Sequence, residues 1–162
     1  MYHLNVILHV FAAILWLGGM FFFAAVGAPV LRRVEPAELR ASLFRQLGEK
    51  ARTVGWIAIA VLLVTGVLNL QFRGLLDGDA MGSPAFWRTA YGHTLMWKLG
   101  AVTVMLIVQA IHDFGFGPAA SRAPAGTARA LELRRRAALL ARVNAILGII
   151  VVIAAVYLAR PG

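Results

Sequence analysis

Apolar residues dominate four stretches of the chain, and charged residues are concentrated between them. No Asp, Glu, Lys or Arg occurs before Arg32, and the stretches 54–72 and 143–159 also lack these four residue types. About 20 predominantly apolar residues are enough for an α-helix to cross the ~30 Å hydrocarbon layer of a membrane. The pattern therefore predicts an all-α integral membrane protein with four spanning helices, at about 4–28, 54–72, 91–115 and 143–159.

The basic residues mark the two segments expected on the cytoplasmic side. The net charge is +9, and the segments 32–53 and 116–142 hold six basic residues each. The intervening loop 73–90 has two basic residues, which Asp77 and Asp79 balance. Because loops rich in Lys and Arg stay in the cytoplasm, both termini are predicted on the outer side of the membrane. Anionic headgroups at the cytoplasmic face are the expected partner of this charge, rather than nucleic acid.

Local signals predict helix ends and short helices between the spans. Helix one is expected to end at Gly27-Ala28-Pro29, and helix three at Gly115-Phe116-Gly117-Pro118, because proline disrupts a helix interior. Ser83-Pro84 suits the cap and first position of a short interfacial helix. The segment 37–47 is amphipathic and leads into helix two, and the segment after Thr127 predicts a surface helix before helix four.

An internal repeat is predicted within a single membrane domain, residues 1–162. Superposing Pro29 on Pro118 gives an offset of 89 residues and places His9 opposite Lys98. Both prolines precede a basic segment and another span. A pair of parallel helix-pair repeats, related by an axis along the membrane normal, would explain this correspondence.

His9 and Lys98 are the candidate site residues inside the spans. Ionisable groups within a membrane are costly and usually functional. Both helices run outside to inside, so the two side chains are expected in the same leaflet. A neutral imidazole commonly ligates metals and haem, and a desolvated lysine can present a neutral amine. The alternative is structural: Lys98 extends to the surface, and His9 is satisfied by Asn69 or a carbonyl.

Two further histidines are candidate ligands. His93 lies near the outer end of helix three and is a candidate second ligand beside His9. His112 lies about 21 Å beyond Lys98 along the helix axis, which is too far to share a small site. His112 with Asp113 could form a separate inner-leaflet metal site. Neighbours on an α-helix point about 100° apart, so we expect Asp113 to pair with an arginine rather than with His112.

Several short motifs resemble the CopD/HemJ group of small bacterial membrane proteins. These motifs are Leu8-His9-Val10, Trp16-Leu17-Gly18-Gly19, Thr65-Gly66 and Trp97-Lys98-Leu99, together with His112-Asp113-Phe114 and Gly117-Pro118 at the end of helix three. The resemblance implies a four-helix bundle of the bacterial cytoplasmic (inner) membrane, linked either to copper resistance or uptake, or to haem b and protoporphyrinogen oxidation. The HemJ-like pattern pairs a first-helix histidine with a third-helix lysine, which carries over to His9 and Lys98. The His112-Asp113 ending and the basic segment 119–142 favour the CopD-like side.

Three functions remain open at this level. The first is a haem b-binding redox protein that transfers electrons near the outer leaflet, with His9 as ligand and Lys98 or His93 as its partner. Such a protein would be a membrane oxidoreductase, with a quinol, a porphyrin or a periplasmic redox or copper protein as its partner. The second is a copper-transport or copper-resistance protein. The third is a structural subunit without a cofactor. The chain has no cysteine, which excludes thiolate clusters and covalently attached haem.

Overall fold

The computed structural model describes residues 1–76, 81–124 and 127–159, and within these ranges it contains helices and no strand. Four helices in the described ranges are long and apolar enough to cross a membrane: Tyr2–Leu31, Ala37–Phe72, Ala90–Arg122 and Ala128–Ala159. Each of the four predicted spans lies inside one of them. The all-α fold with four spanning helices is therefore confirmed. Asp77 and Asp79 lie outside the described residues.

The chain divides into two compact units, each built around one pair of long helices. The first unit, Met1–Met81, contains α1 (Tyr2–Phe22), a π-helical turn π1 (Phe23–Gly27), α2 (Ala28–Leu31) and α3 (Ala37–Phe72). The second unit, Gly82–Gly162, contains α4 (Pro84–Trp87), α5 (Ala90–Ala110), a π-helical turn π2 (Ile111–Phe116), α6 (Gly117–Arg122) and α7 (Ala128–Ala159). Within the units, α1 packs against α3 and α5 packs against α7.

A π-helical turn precedes the proline in the first long helix of each unit. In a regular α-helix, the ring of a proline clashes with the carbonyl four residues earlier. For Pro29 that carbonyl belongs to Ala25, and for Pro118 it belongs to Phe114, so both lie in the π turns. The wider i→i+5 turn accommodates the proline. The helix ends expected at these sequences are therefore wrong, because helical structure continues to Leu31 and Arg122.

The two units share one order of elements. In each unit a long helix is followed by a π turn, a short helix that begins with proline in its first turn, and a second long helix. The offset of 89 residues that superposes the two prolines also superposes π1 on the last five residues of π2. This order agrees with the predicted repeat of helix pairs. The symmetry axis and the side on which the termini lie stay predictions.

The basic segments continue directly into the spanning helices. The amphipathic stretch 37–47 is the first part of the unbroken helix α3, and the segment after Thr127 is the first part of α7. The separate surface helix expected before helix four is therefore wrong. Neither helix contains an internal proline, so the change from charged to apolar residues does not interrupt the backbone hydrogen bonds.

Small residues occupy much of the contact between paired helices, and large apolar residues cover the outside. The buried residues include Ala12 of α1, Ala58 of α3, and Ala130 and Gly148 of α7, beside larger ones such as Trp16. Small side chains allow two helices to approach closely in a membrane. Many Leu, Ile, Val and Phe side chains are exposed on all four long helices, as expected of surfaces that face lipid.

The connection between α4 and α5 is tightly packed. Ser83 caps α4, with its hydroxyl accepting from Ala85 N at 3.3 Å, and Pro84 is in the first turn, as predicted. The hydroxyl of Thr89 donates to Phe86 O at 2.7 Å and accepts from Gly92 N at 3.0 Å. A Cβ atom on Gly92 would lie 2.1 Å from Phe86 O. This position therefore requires glycine.

Candidate functional site

The first unit contains a polar cluster made by two residues from each of its long helices. Asn5 and His9 lie four residues apart on α1, and Thr65 and Asn69 lie four residues apart on α3, so each pair shares one helix face. The Nδ2 of Asn5 lies 2.9 Å from both Thr65 O and Asn69 Oδ1. The Nδ1 of His9 lies 2.7 Å from Thr65 Oγ1. The structure thus brings His9 and Asn69 into one cluster, with Asn5 and Thr65 as their described partners.

The hydrogen bonds of Thr65 determine which nitrogen of His9 carries the proton. The hydroxyl of Thr65 lies 2.6 Å from Val61 O. A carbonyl oxygen can only accept, so the single hydroxyl proton is donated to Val61. The proton between Thr65 and His9 must then come from His9 Nδ1. In the neutral imidazole, the lone pair therefore resides on Nε2.

This arrangement is typical of a histidine prepared to bind a metal. Metal-bound histidines almost always donate their second ring N–H to a nearby acceptor, which fixes the tautomer and the orientation of the ring. Thr65 supplies that acceptor for His9. Gly66 lies beside the ring, since a Cβ at this position would be 3.6 Å from His9 Cε1. Even an added Cβ would make only ordinary van der Waals contact, so the glycine leaves space beside His9 Cε1.

The second unit contains a separate hydrogen-bonded network that includes His112. Asn144 of α7 donates through Nδ2 to Gln109 Oε1. Gln109 Nε2 donates to Asp113 Oδ2 at 2.6 Å, and His112 Nδ1 lies 2.8 Å from Asp113 Oδ1. The side chain of Asp113 is 7% exposed and that of His112 is 30% exposed. Asn144 is almost completely buried.

The direct contact between His112 and Asp113 contradicts the expectation from α-helical geometry. Both residues lie in π2, where the i→i+5 turn contains more residues and rotates each one by less than 100°. The two neighbouring side chains therefore point in more similar directions than in an α-helix. An additional arginine partner for Asp113 stays a prediction.

The remaining candidate ligands lie on α5. His93 is exposed and Lys98 is half-buried. The predicted pairing of His9 with Lys98 or His93 joins residues of different units and stays a prediction. Within the described residues, no group of three or more His, Asp or Glu side chains could hold a metal ion.

Asn5 is not among the site residues predicted from the sequence, and Asn144 has no predicted role. Asn5 lies one helical turn before His9, which is the spacing that puts two side chains on one face. Asn144 is the first polar residue after Arg142 in an otherwise apolar stretch of α7. The spacing of Asn5 from His9 and the isolated position of Asn144 can both be read directly from the sequence. A polar side chain in a membrane span usually faces another helix.

The fold and these clusters define a multi-pass helical membrane protein with polar networks inside its helix pairs. Residues 52–158 match the family of copper resistance protein D, CopD. The chain belongs to this family, and the assignment predicted from the sequence motifs is confirmed. The matched residues contain Thr65, Asn69 and the whole His112 network, whereas His9 precedes them.

One relative among the curated proteins is similar over most of the chain. It is a protein of Aquifex aeolicus (strain VF5) described as uncharacterized, and it is 30% identical over 118 residues. The aligned region covers 72% of this chain and 71% of the Aquifex protein. No solved structure is significantly similar to the chain.

Proposed function

We propose that this membrane protein binds copper(I) and passes it on, and that Nε2 of His9 is a copper ligand. The observation that carries the proposal is the hydrogen bond between His9 Nδ1 and Thr65 Oγ1 at 2.7 Å. It holds the ring in the tautomer whose Nε2 can coordinate a metal. Membership of the copper resistance protein D family supports copper as the ion.

The chemistry of the cluster suits an ion in transit. Imidazole nitrogen is a good ligand for copper, and copper(I) accepts low coordination numbers. The described residues contain no cluster of three or more His, Asp or Glu side chains that could hold a metal. We therefore propose an open coordination shell around the ion, with His9 as one of its ligands. A pathway requires binding that is favourable enough for the ion to enter and weak enough for it to leave.

The proposal is tested by titrating the full-length protein with copper(I). Protein in mild detergent competes with a chromophoric copper(I) chelator under anaerobic, reducing conditions. We expect His9→Ala to lower the affinity of one copper equivalent by at least about tenfold, because a ligand is lost. His3→Ala is the matched control, since it removes an exposed imidazole from the first turn of the same helix. Wild-type protein that takes no copper from the chelator, or His9→Ala protein that binds like His3→Ala, would contradict the proposal.

The same geometry supports a second candidate, in which His9 is an axial ligand of haem b. A hydrogen-bonded imidazole with its lone pair on Nε2 fits this role, and haem would supply one-electron chemistry near the outer leaflet. The absence of cysteine restricts the candidate to noncovalent haem. Protein expressed with ample haem should then show a Soret band that shifts on reduction and is lost or altered in His9→Ala. Colourless wild-type protein would exclude this candidate and leave the copper proposal in place.

A further inference from the structure

The proposed function leaves a second oriented histidine unexplained. His112 ends a chain of hydrogen bonds that begins at Asn144 on α7 and passes through Gln109 and Asp113. Asp113 and Asn144 are buried, whereas the ring of His112 is partly exposed. We propose that Nε2 of His112 is a second copper(I) ligand, at a site separate from that of His9. The identity of the ion rests on the proposed function.

Each hydrogen bond in the chain has one allowed direction. A carboxylate only accepts, so Asp113 Oδ2 requires Nε2 of Gln109 as its donor, 2.6 Å away. This leaves Gln109 Oε1 to accept from Nδ2 of Asn144. The other carboxylate oxygen accepts from Nδ1 of His112 at 2.8 Å. The lone pair of the neutral ring is therefore on Nε2.

A carboxylate that holds the Nδ1–H of a histidine is the usual support for a metal-bound imidazole. It fixes the ring and makes Nε2 a stronger electron donor. The negative charge of Asp113 also favours a cation bound to the ring. Asp113, Gln109 and Asn144 are positioning residues in this arrangement, because they act on the ion through His112.

The position of His112 along its own span distinguishes it from His9. His112 lies in π2, at the end of the span that adjoins the basic segment 116–142. His9 lies near the beginning of α1, far from the basic segment that follows π1 and α2. The two histidines therefore occupy different ends of their respective spanning helices.

The experiment counts copper(I) equivalents in full-length protein with the competition assay. Wild-type protein should bind two equivalents, His9→Ala and His112→Ala one each, and the double variant none. Asp113→Ala should weaken only the His112 equivalent, by about 10–100-fold, as expected when the acceptor that orients a metal ligand is removed. His3→Ala serves as the control, and the elution volume on gel filtration shows that each variant is folded.

An NMR measurement on wild-type protein gives a readout that does not depend on variants. In protein with ¹⁵N-labelled histidine rings, His112 should carry its proton on Nδ1, and copper(I) should shift its Nε2 resonance. A proton on Nε2, or an Nε2 resonance that copper(I) leaves unchanged, would overturn the inference.

The outcomes of the titration separate this inference from the proposed function. A single equivalent that disappears in His9→Ala and persists in His112→Ala would overturn the second site and leave the proposed function standing. A single equivalent with the opposite behaviour would support the His112 site and contradict the role of His9. No copper binding by wild-type protein would overturn both.

Discussion

Replacing Thr65 with valine is expected to weaken copper(I) binding at His9 by about 10–100-fold, the usual effect of removing the partner that orients a metal-bound histidine. Valine has nearly the same shape as threonine but has no oxygen to accept the proton of His9 Nδ1. The ring can then turn, or adopt the tautomer with its proton on Nε2, in which Nε2 has no lone pair to donate to the ion. The change removes no ligand atom. A loss of affinity would therefore show that the hydrogen bond itself contributes to the site.

Thr65→Ser is the matched control for this prediction. Serine keeps the hydroxyl that donates to Val61 and accepts from His9, so its copper(I) affinity should stay close to that of the wild type. The competition titration compares the three proteins, and ¹⁵N spectra of labelled histidine report the tautomer of His9 in each. Wild-type affinity in Thr65→Val would show that Thr65 does not position the ring.

Gly92→Ala is expected to destabilise the second unit by about 3 kcal/mol, near the upper end of the usual cost of overpacking. The added Cβ would lie 2.1 Å from Phe86 O and 2.9 Å from the carbonyl carbon of Phe86. These are backbone atoms, which cannot move aside as the end of a flexible side chain can. The α4 helix must therefore separate from α5, which also disturbs the two hydrogen bonds of Thr89.

Gly100→Ala on the same helix provides the comparison for Gly92→Ala. No atom lies within 4 Å of the Cβ position at Gly100, so alanine there should be neutral or stabilising by up to about 1 kcal/mol, because it favours the helix. Thermal unfolding of both variants in detergent, followed by circular dichroism, measures the difference. Equal melting temperatures for the two variants would contradict the close approach of α4 and α5.

The four spans could be predicted because length and hydropathy are local properties of the sequence. The cap at Ser83 and the proline at Pro84 were predictable for the same reason. The partner of His9 was not, because Thr65 lies 56 residues away. The sequence shows that Thr65 and Asn69 share a helix face, but the rotation of α3 about its axis decides which of them meets the imidazole.

The pairing of His112 with Asp113 was missed because a regular α-helix was assumed. The i→i+5 turn of π2 has no strong sequence signature of its own. The nearby Gly115, Gly117 and Pro118 indicate an irregular backbone, but by themselves they predict a helix end rather than a π turn. The change from charged to apolar residues likewise predicts a boundary within α7, although no residue there breaks the helix.

The described hydrogen bonds of each polar network join the two helices of one pair, which has a consequence for how the protein is made. Asn5 and His9 meet partners on α3, and Gln109 meets Asn144 on α7, at separations of 64, 56 and 35 residues. A nascent chain that enters the membrane one helical hairpin at a time can therefore shield these side chains from lipid as soon as each hairpin is complete. Those contacts of the first hairpin form without waiting for the ribosome to synthesise the second.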